Sequence, residues 1–232
     1  RSYARYWLET FRLPKMAPAD LLARIDATGA EHLAAALDRG RGAVVALPHQ
    51  GNWDVAGVWL VAQHGPFTTV AERLEPASLY DRFVAYRESL GIEVLPLTGG
   101  AQPPADVLRQ RLNQNRAVCL VADRELSRSG IEVQFFGEPA RMPGGPALLA
   151  ATTGAALLPV GLWFTAGGWG HRIHPAVALP QGSLRQRVTA GTQAVADRFA
   201  EEIAAHPADW HMLQRLWLAD LPAREPARVN AR

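Results

Sequence analysis

Residues 43–54 read Ala43-Val44-Val45-Ala46-Leu47-Pro48-His49-Gln50-Gly51-Asn52-Trp53-Asp54, an apolar run that gives way to turn residues and then to a helical pattern. Apolar residues in unbroken succession, β-branched ones among them, fit a strand buried on both faces. Pro48 and Gly51 end it. Asn52 is a residue type that caps helices, because its side-chain oxygen accepts from a first-turn N–H. Strand, loop and helix in this order make the first half of a parallel crossover unit.

The same alternation continues outward. Compact apolar runs at Phe67–Ala71, Ile92–Leu97, Ala117–Ala122, Ile131–Phe136 and Leu157–Phe164 read as strands. Helical spacing marks Trp53–His64, Ala77–Leu90, Ala105–Asn115 and Pro146–Thr153, while Ala19–Arg39 reads as two short helices broken near Thr28 and Gly29. Two further helices, about Leu184–Ala205 and Ala208–Ala219, close the pattern. The expectation is α/β, a single domain over residues 1–232 with a mostly parallel central sheet flanked by helices, and a loose tail after about Pro222.

Composition narrows the function. With 232 residues and 48% hydrophobic side chains, a large core is available and disorder is excluded as the main state. The balance of 24 basic against 22 acidic residues, net +2, excludes a protein that coats nucleic acid non-specifically. Lys15 is the single lysine, so the basic side is almost all arginine, from GC-rich codon usage or from phosphate-bearing partners. Cys119 is the single cysteine and lies in an apolar run, which rules out an intrachain disulfide or a cysteine-based zinc site and fits a reducing compartment.

No stretch reaches the roughly 18 to 20 apolar residues of a membrane span. No signal peptide is read ahead of the first element, so a soluble or peripheral chain is expected, with an anchor preceding Arg1 left open. The opening stretch, residues 1–15, interleaves Tyr3, Tyr6, Trp7, Phe11 and Leu13 with Arg1, Arg5, Arg12 and Lys15. It reads either as an amphipathic helix on a lipid surface or as a first helix packed on the domain.

Absent motifs exclude several chemistries: there is no GxSxG nucleophile elbow, no GxxxxGK phosphate loop and no HExxH zinc motif. Gly40-Arg41-Gly42 precedes its strand and lacks a third glycine, so it reads as a tight turn. His171 and His174, three apart on a strand, face opposite sides and make poor joint ligands; no metal is expected. His49 stands apart, at a strand end where catalysts of α/β sheets collect. Asp54 follows it by five positions, in the first turn of the next helix. Seven histidines and 22 acids in 232 residues give roughly 0.7 chance matches to this spacing, so the spacing alone leaves a hydrogen-bonded loop histidine and a dipole-complementing acid as open readings.

The wording around the pair is more specific. Pro48-His49-Gln50-Gly51-Asn52-Trp53-Asp54 resembles the active-site block of the bacterial late acyltransferases of lipid A synthesis and their glycolipid-acylating relatives. Three later stretches resemble that family's further blocks, in order: Glu72-Arg73-Leu74-Glu75-Pro76 with Tyr80 and Arg87; Asp123-Arg124-Glu125; and residues 135–140 with Pro143. Together they span about Tyr3 to Trp217. The segments VALPHQGNWD and VAERLEP are most similar to the actinobacterial branch acting on phosphatidylinositol mannosides.

The resemblance implies transfer of a long fatty acyl chain, typically palmitoyl, from its coenzyme A thioester to a mannose hydroxyl of a glycolipid acceptor. Acyl-CoA is the donor substrate and no other cofactor is implied. The place implied is peripheral, on the cytoplasmic face of the cell membrane against an anionic surface. His49 is the expected general base. Asp54 is expected to hold its imidazole, with Asp123, from a neighbouring strand end, as the second candidate. Arg87 is expected to meet the oxyanion or a charged head group, Glu72 to position sugar hydroxyls or Arg87, and Glu125 to bind substrate beside them.

An apolar groove for the chain is expected along the helix after His49, walled by Trp53, Val55, Ala56 and Trp59. Membrane contact is expected through the N-terminal stretch and through Val58, Trp59 and Val61 of that helix. An acyl-chain-binding protein and a thioesterase remain the competing readings.

Overall fold

In the computed structural model, which describes residues 1–73, 75–125 and 130–220, the chain opens with helices α1 (Ser2–Arg12) and α2 (Pro18–Leu22), strand β1 (Ile25–Thr28) and helix α3 (Ala30–Asp38). The alternating part follows as β2 (Ala43–Leu47), α4 (Trp53–His64), β3 (Phe67–Ala71), α5 (Ala77–Ser89), β4 (Ile92–Pro96), α6 (Pro104–Asn113) and β5 (Ala117–Val121). A hairpin of β6 (Ile131–Phe135) and β7 (Glu138–Met142) leads to α7 (Gly145–Thr153), β8 (Ala156–Phe164), β9 (Trp169–Ile173) and α8 (Leu184–Ala205). Leu74 and the expected tail after Pro222 lie outside the described residues.

Seven strands form one sheet in the order β1-β9-β8-β2-β5-β3-β4, parallel throughout except where β9 runs against β8. The α/β architecture and its mostly parallel sheet are therefore as the sequence pattern requires. Every residue of β2 is buried, because helices cover both faces of the sheet. On one face Val44, Ala46, Val118 and Leu157 pack with α6, α7 and α8; on the other Val45, Cys119, Leu158 and Val160 pack with α3 and α4. Each Val or Leu so buried stabilises the fold by about 1.5–3 kcal/mol before entropy is counted.

Three elements differ from the sequence expectation. Ile25–Thr28, read as part of a helical region, is an edge strand: its exposure alternates with period two, and it pairs in parallel with β9. Ile131–Phe135 lies outside the main sheet because Phe136 and Gly137, with φ of 54° and 82°, make the tight turn that folds it back on β7 as an antiparallel hairpin. The helix expected over Ala208–Ala219 is replaced by short 3-10 turns at Pro207–Asp209 and Leu218–Asp220. Between them the chain bridges Gln50 through Trp210, and His211 N–H donates to the His49 carbonyl at 2.7 Å, so backbone that a helix would use is spent on the β2–α4 loop.

Helix α1 is packed on the domain. Tyr6, Thr10 and the following Leu13 are buried, and Arg5 donates to the carbonyls of Thr165 and Gly168 at 3.0 and 2.9 Å. Its outer side still shows Leu8 and Phe11 to solvent at 58% and 73% exposure. No described helix is long and apolar enough to cross a membrane.

Candidate active site

The site begins where β2 and β5 end. Their parallel register sets Leu47 beside Val121 and is extended by the Ala122 N–H donating to the Leu47 carbonyl at 2.9 Å. Two residues on, the same register brings His49 to Asp123. The His49 Nδ1 lies 2.6 Å from Asp123 Oδ1, and the His49 backbone N–H donates to Asp123 Oδ2 at 3.0 Å. A carboxylate can only accept, so Nδ1 carries the proton and Nε2 is left with the basic lone pair. Trp210 completes the arrangement, its indole N–H donating to Asp123 Oδ2 at 2.9 Å.

Asp123 is fully buried. Burial alone would raise its pKa, yet the His49 ring and the Trp210 and backbone donors hold it below the usual carboxylate value, so it stays ionised against the imidazole.

Gly51 shapes the loop. Its φ of +58° is left-handed, and a side-chain carbon there would meet the Leu162 and Trp163 backbone at 2.9 Å. Asn52 then caps α4, accepting from the Val55 N–H at 3.2 Å, while its amide donates to Glu9 at 2.9 Å. Glu9 also receives the Trp169 indole and Arg5, both at 2.6 Å, which ties α1 to the start of α4.

Asp54 is buried in the first turn of α4, but its partners are not His49. Tyr6 O–H donates to Oδ2 at 3.0 Å and Arg87 Nε donates to Oδ1 at 3.0 Å. Burial opposes the charge on Arg87, and the Asp54 carboxylate more than restores it, holding the guanidinium pKa above its ordinary value. Asp54 thus joins α1, α4 and α5, and the position expected of it beside the imidazole is held by Asp123.

A cavity of about 820 Å³ opens beside His49, and its wall includes Trp53, Asp54, Glu72, Arg87 and Glu125. The sequence-predicted residues therefore meet on one cavity, apart from Asp123, which lies behind His49. The Trp53 ring stands edge-on to the His49 ring at 5.7 Å. Glu72 is paired at 4.0 Å with Arg124 and not with Arg87. Of the groove wall expected on α4, Ala56 and Trp59 line the cavity with Trp53, whereas Val55 turns to a separate cluster with Leu13, Leu21 and Trp169. Trp59 is buried, so α4 offers less lipid-facing surface than the sequence suggested. Among the described residues no group of three or more His, Cys, Asp or Glu side chains is placed to hold a metal ion.

The sequence matches the bacterial lipid A biosynthesis acyltransferase family over residues 1–219. The chain belongs to that family. Similar relatives include a phosphatidylinositol mannoside acyltransferase of Mycolicibacterium smegmatis, strain ATCC 700084 / mc(2)155, 61% identical over 229 residues that cover 99% of this chain and 74% of the relative. A second, of Mycobacterium tuberculosis strain ATCC 25618 / H37Rv and bearing the same name, is 60% identical over 233 residues, covering 100% of this chain and 72% of the relative.

As a lipid A biosynthesis acyltransferase family member, the chain carries parts of its site that sequence reasoning missed. The sequence pattern puts Trp210 and His211 on a helix, and Tyr6 and Glu9 in an amphipathic stretch. His211 lines the cavity, contacts Ser2 Oγ at 3.0 Å and has its pKa pushed down to about 4 by burial. The one signal for these groups was the concentration of aromatic residues at both chain ends; nothing in their spacing linked them to His49.

Proposed function

We propose that this family member transfers a long fatty acyl chain, palmitoyl in the first instance, from acyl-CoA to a mannose hydroxyl of a phosphatidylinositol mannoside. The observation that carries the reading is the His49–Asp123 pair at 2.6 Å, set on a deep, largely apolar cavity. The acceptor is taken from the names of the relatives at 61% and 60% identity.

His49 acts as general base. Its Nε2 removes the proton of the sugar hydroxyl as that oxygen attacks the thioester carbonyl, and Asp123 stabilises the imidazolium that forms. The tetrahedral intermediate collapses with cleavage of the C–S bond, and the proton returns from His49 to the departing thiolate. No acyl-enzyme is needed. Arg87, held by Asp54 on the cavity wall, is the cation offered to a charged substrate group, while Glu72 and Glu125 line the acceptor side. The acyl chain enters the apolar arm beneath α4, past Trp53 and Ala56, where each buried methylene contributes about 0.8 kcal/mol.

The reaction takes place at the cytoplasmic face of the membrane, with Leu8 and Phe11 of α1 as the lipid-facing residues. The test is turnover of palmitoyl-CoA by the purified protein with and without a phosphatidylinositol mannoside in vesicles. Release of free thiol that needs the acceptor, with a mass gain of one palmitoyl group on the lipid, is expected. Equal thiol release without acceptor indicates a thioesterase, and retention of the thioester without turnover indicates an acyl-chain binder; either result overturns the reading.

A further inference from the structure

Asp123 is fully buried, so its carboxylate depends on protein donors. Oδ1 faces the His49 ring, while Oδ2 accepts twice, from the His49 backbone N–H at 3.0 Å and from the Trp210 indole N–H at 2.9 Å. Of these three contacts the indole alone comes from outside the β2–α4 loop, 87 residues along the chain from Asp123. The torsion that turns a carboxylate about its last bond is soft. One donor on Oδ2 leaves that rotation loose, and a second donor from another part of the fold fixes it.

The chain around Trp210 presents that donor. After the turn at Pro207–Asp209 the backbone leaves helical geometry, with Trp210 at φ −83° and ψ 123°. It pairs with the β2–α4 loop: Gly51 N–H donates to the Asp209 carbonyl at 2.9 Å, and His211 N–H to the His49 carbonyl at 2.7 Å. The Asp209 side chain accepts from the Phe164 N–H at 2.9 Å, which anchors the segment to β8. The Trp210 ring rests against Phe135 and Phe136 of the hairpin, at 6.0 and 6.4 Å, and edge-on to Trp217 at 6.4 Å. Backbone and ring are thus held by different parts of the fold, and both set the indole nitrogen against Asp123.

We propose that Trp210 is a positioning residue of the transfer reaction: its N–H locks the Asp123 carboxylate with Oδ1 towards the His49 ring, which keeps the ring proton on Nδ1 and leaves Nε2 free to take the proton of the acceptor hydroxyl. The inference rests on the reading of His49 as general base. In a neutral imidazole, the bond made at one nitrogen decides which of the two carries the proton. A carboxylate free to turn lets the proton settle on Nε2, and a ring in that form cannot act as base towards the substrate.

The experiment separates the donor from the ring. Trp210→Phe keeps an aromatic ring against the hairpin and removes the N–H, whereas Trp210→His keeps a ring N–H as many bonds from the backbone as the indole nitrogen and removes most of the packing. Each is assayed for kcat and KM with palmitoyl-CoA and a vesicle-borne phosphatidylinositol mannoside. Ring-¹⁵N NMR of histidine-labelled protein reports the His49 tautomer, its signals assigned by their loss in His49→Ala. In Trp210→Phe the ring proton is expected to spread over both nitrogens and kcat to fall by about tenfold, the order set by one hydrogen bond to a charged group, with KM unchanged. Trp210→His is expected to keep the native tautomer and most of the native kcat, despite a lower melting temperature. Trp210→Leu and Trp210→Gln serve as the second variants without and with a donor if either of the first pair does not fold.

A native kcat or a native tautomer in folded Trp210→Phe overturns the proposal. So does a loss of kcat in Trp210→His as large as that in Trp210→Phe, which would assign Trp210 to packing alone. Either result leaves the general-base reading standing while His49→Ala is inactive; an active His49→Ala overturns that reading and the inference with it.

Discussion

Asp123 Oδ1 lies 2.6 Å from His49 Nδ1, although 74 residues separate the two, while the acid five positions after the histidine makes its bonds to Tyr6 and Arg87. The pairing is a consequence of the parallel register of β2 and β5, whose ends deliver the two side chains to the same sheet edge. It separates two tasks that the HxxxxD spacing had merged. Asp123 holds the His49 imidazole, and Asp54 fastens the helices that wall the cavity.

Gly51→Ala tests the loop that presents His49. The left-handed φ alone costs about 1–2 kcal/mol for a residue with a side chain. The approach of the new carbon to the Leu162 and Trp163 backbone at 2.9 Å adds to that. A lower melting temperature together with a reduced kcat is expected. A variant with native stability and rate would show that the loop relaxes freely.

Asp54→Ala leaves the Arg87 guanidinium without its carboxylate, with a side chain only 13% exposed. Breaking such a pair costs about 3–5 kcal/mol. Urea denaturation should show that loss for the single variant and a partial recovery in Asp54→Ala/Arg87→Met, because the double change removes the stranded charge. Strictly additive losses would contradict the clamp.

Acid stability carries the mark of His211. Its pKa falls from 6.5 in the unfolded chain to about 4 in the fold, chiefly through burial. Between those values the unfolded chain binds a proton that the folded one refuses, so stability is full above pH 6.5 and is lost as the pH falls toward 4. His211→Gln should flatten the dependence of the urea midpoint on pH within that window; an unchanged slope would remove His211 as its source.

Vesicle flotation tests the lipid-facing side of α1. Leu8→Ser/Phe11→Ser should reduce binding to anionic vesicles and leave the melting temperature close to native, because both side chains are exposed. Unaltered flotation would place the membrane contact elsewhere. Arg5 is a poor choice for this test, since its guanidinium is occupied by Glu9 and by two carbonyls of the domain.

What was legible in the sequence was whatever local pattern determines. The β2–loop–α4 unit follows from an apolar run, a proline, a glycine and a capping asparagine, and the residues from Ala43 to His64 adopt it. Ile131–Phe135 is a strand as its apolar run suggests, but such a run has no signature for which sheet it joins; Phe136 and Gly137 in left-handed backbone decide that by folding it into a hairpin. Residues 208–219 carry a helical pattern, but Trp210 and His211 gain more from Asp123 and the His49 carbonyl than from helix hydrogen bonds. The partner of His49 was legible only as an alternative, since strand register is a tertiary property that spacing along the chain does not encode.

The most direct measurement compares kcat and thermal stability in Asp123→Asn and Asp54→Asn, alongside His49→Ala as the inactive reference. An asparagine at 123 can no longer stabilise the imidazolium, and kcat is expected to fall by about 10²–10⁴ with folding largely retained. An asparagine at 54 is expected to lower stability and weaken substrate binding, with a much smaller loss of kcat in the protein that remains folded. The reverse order, with Asp54→Asn folded but inactive and Asp123→Asn close to native in rate, would contradict the assignment of Asp123 as the residue that holds the base.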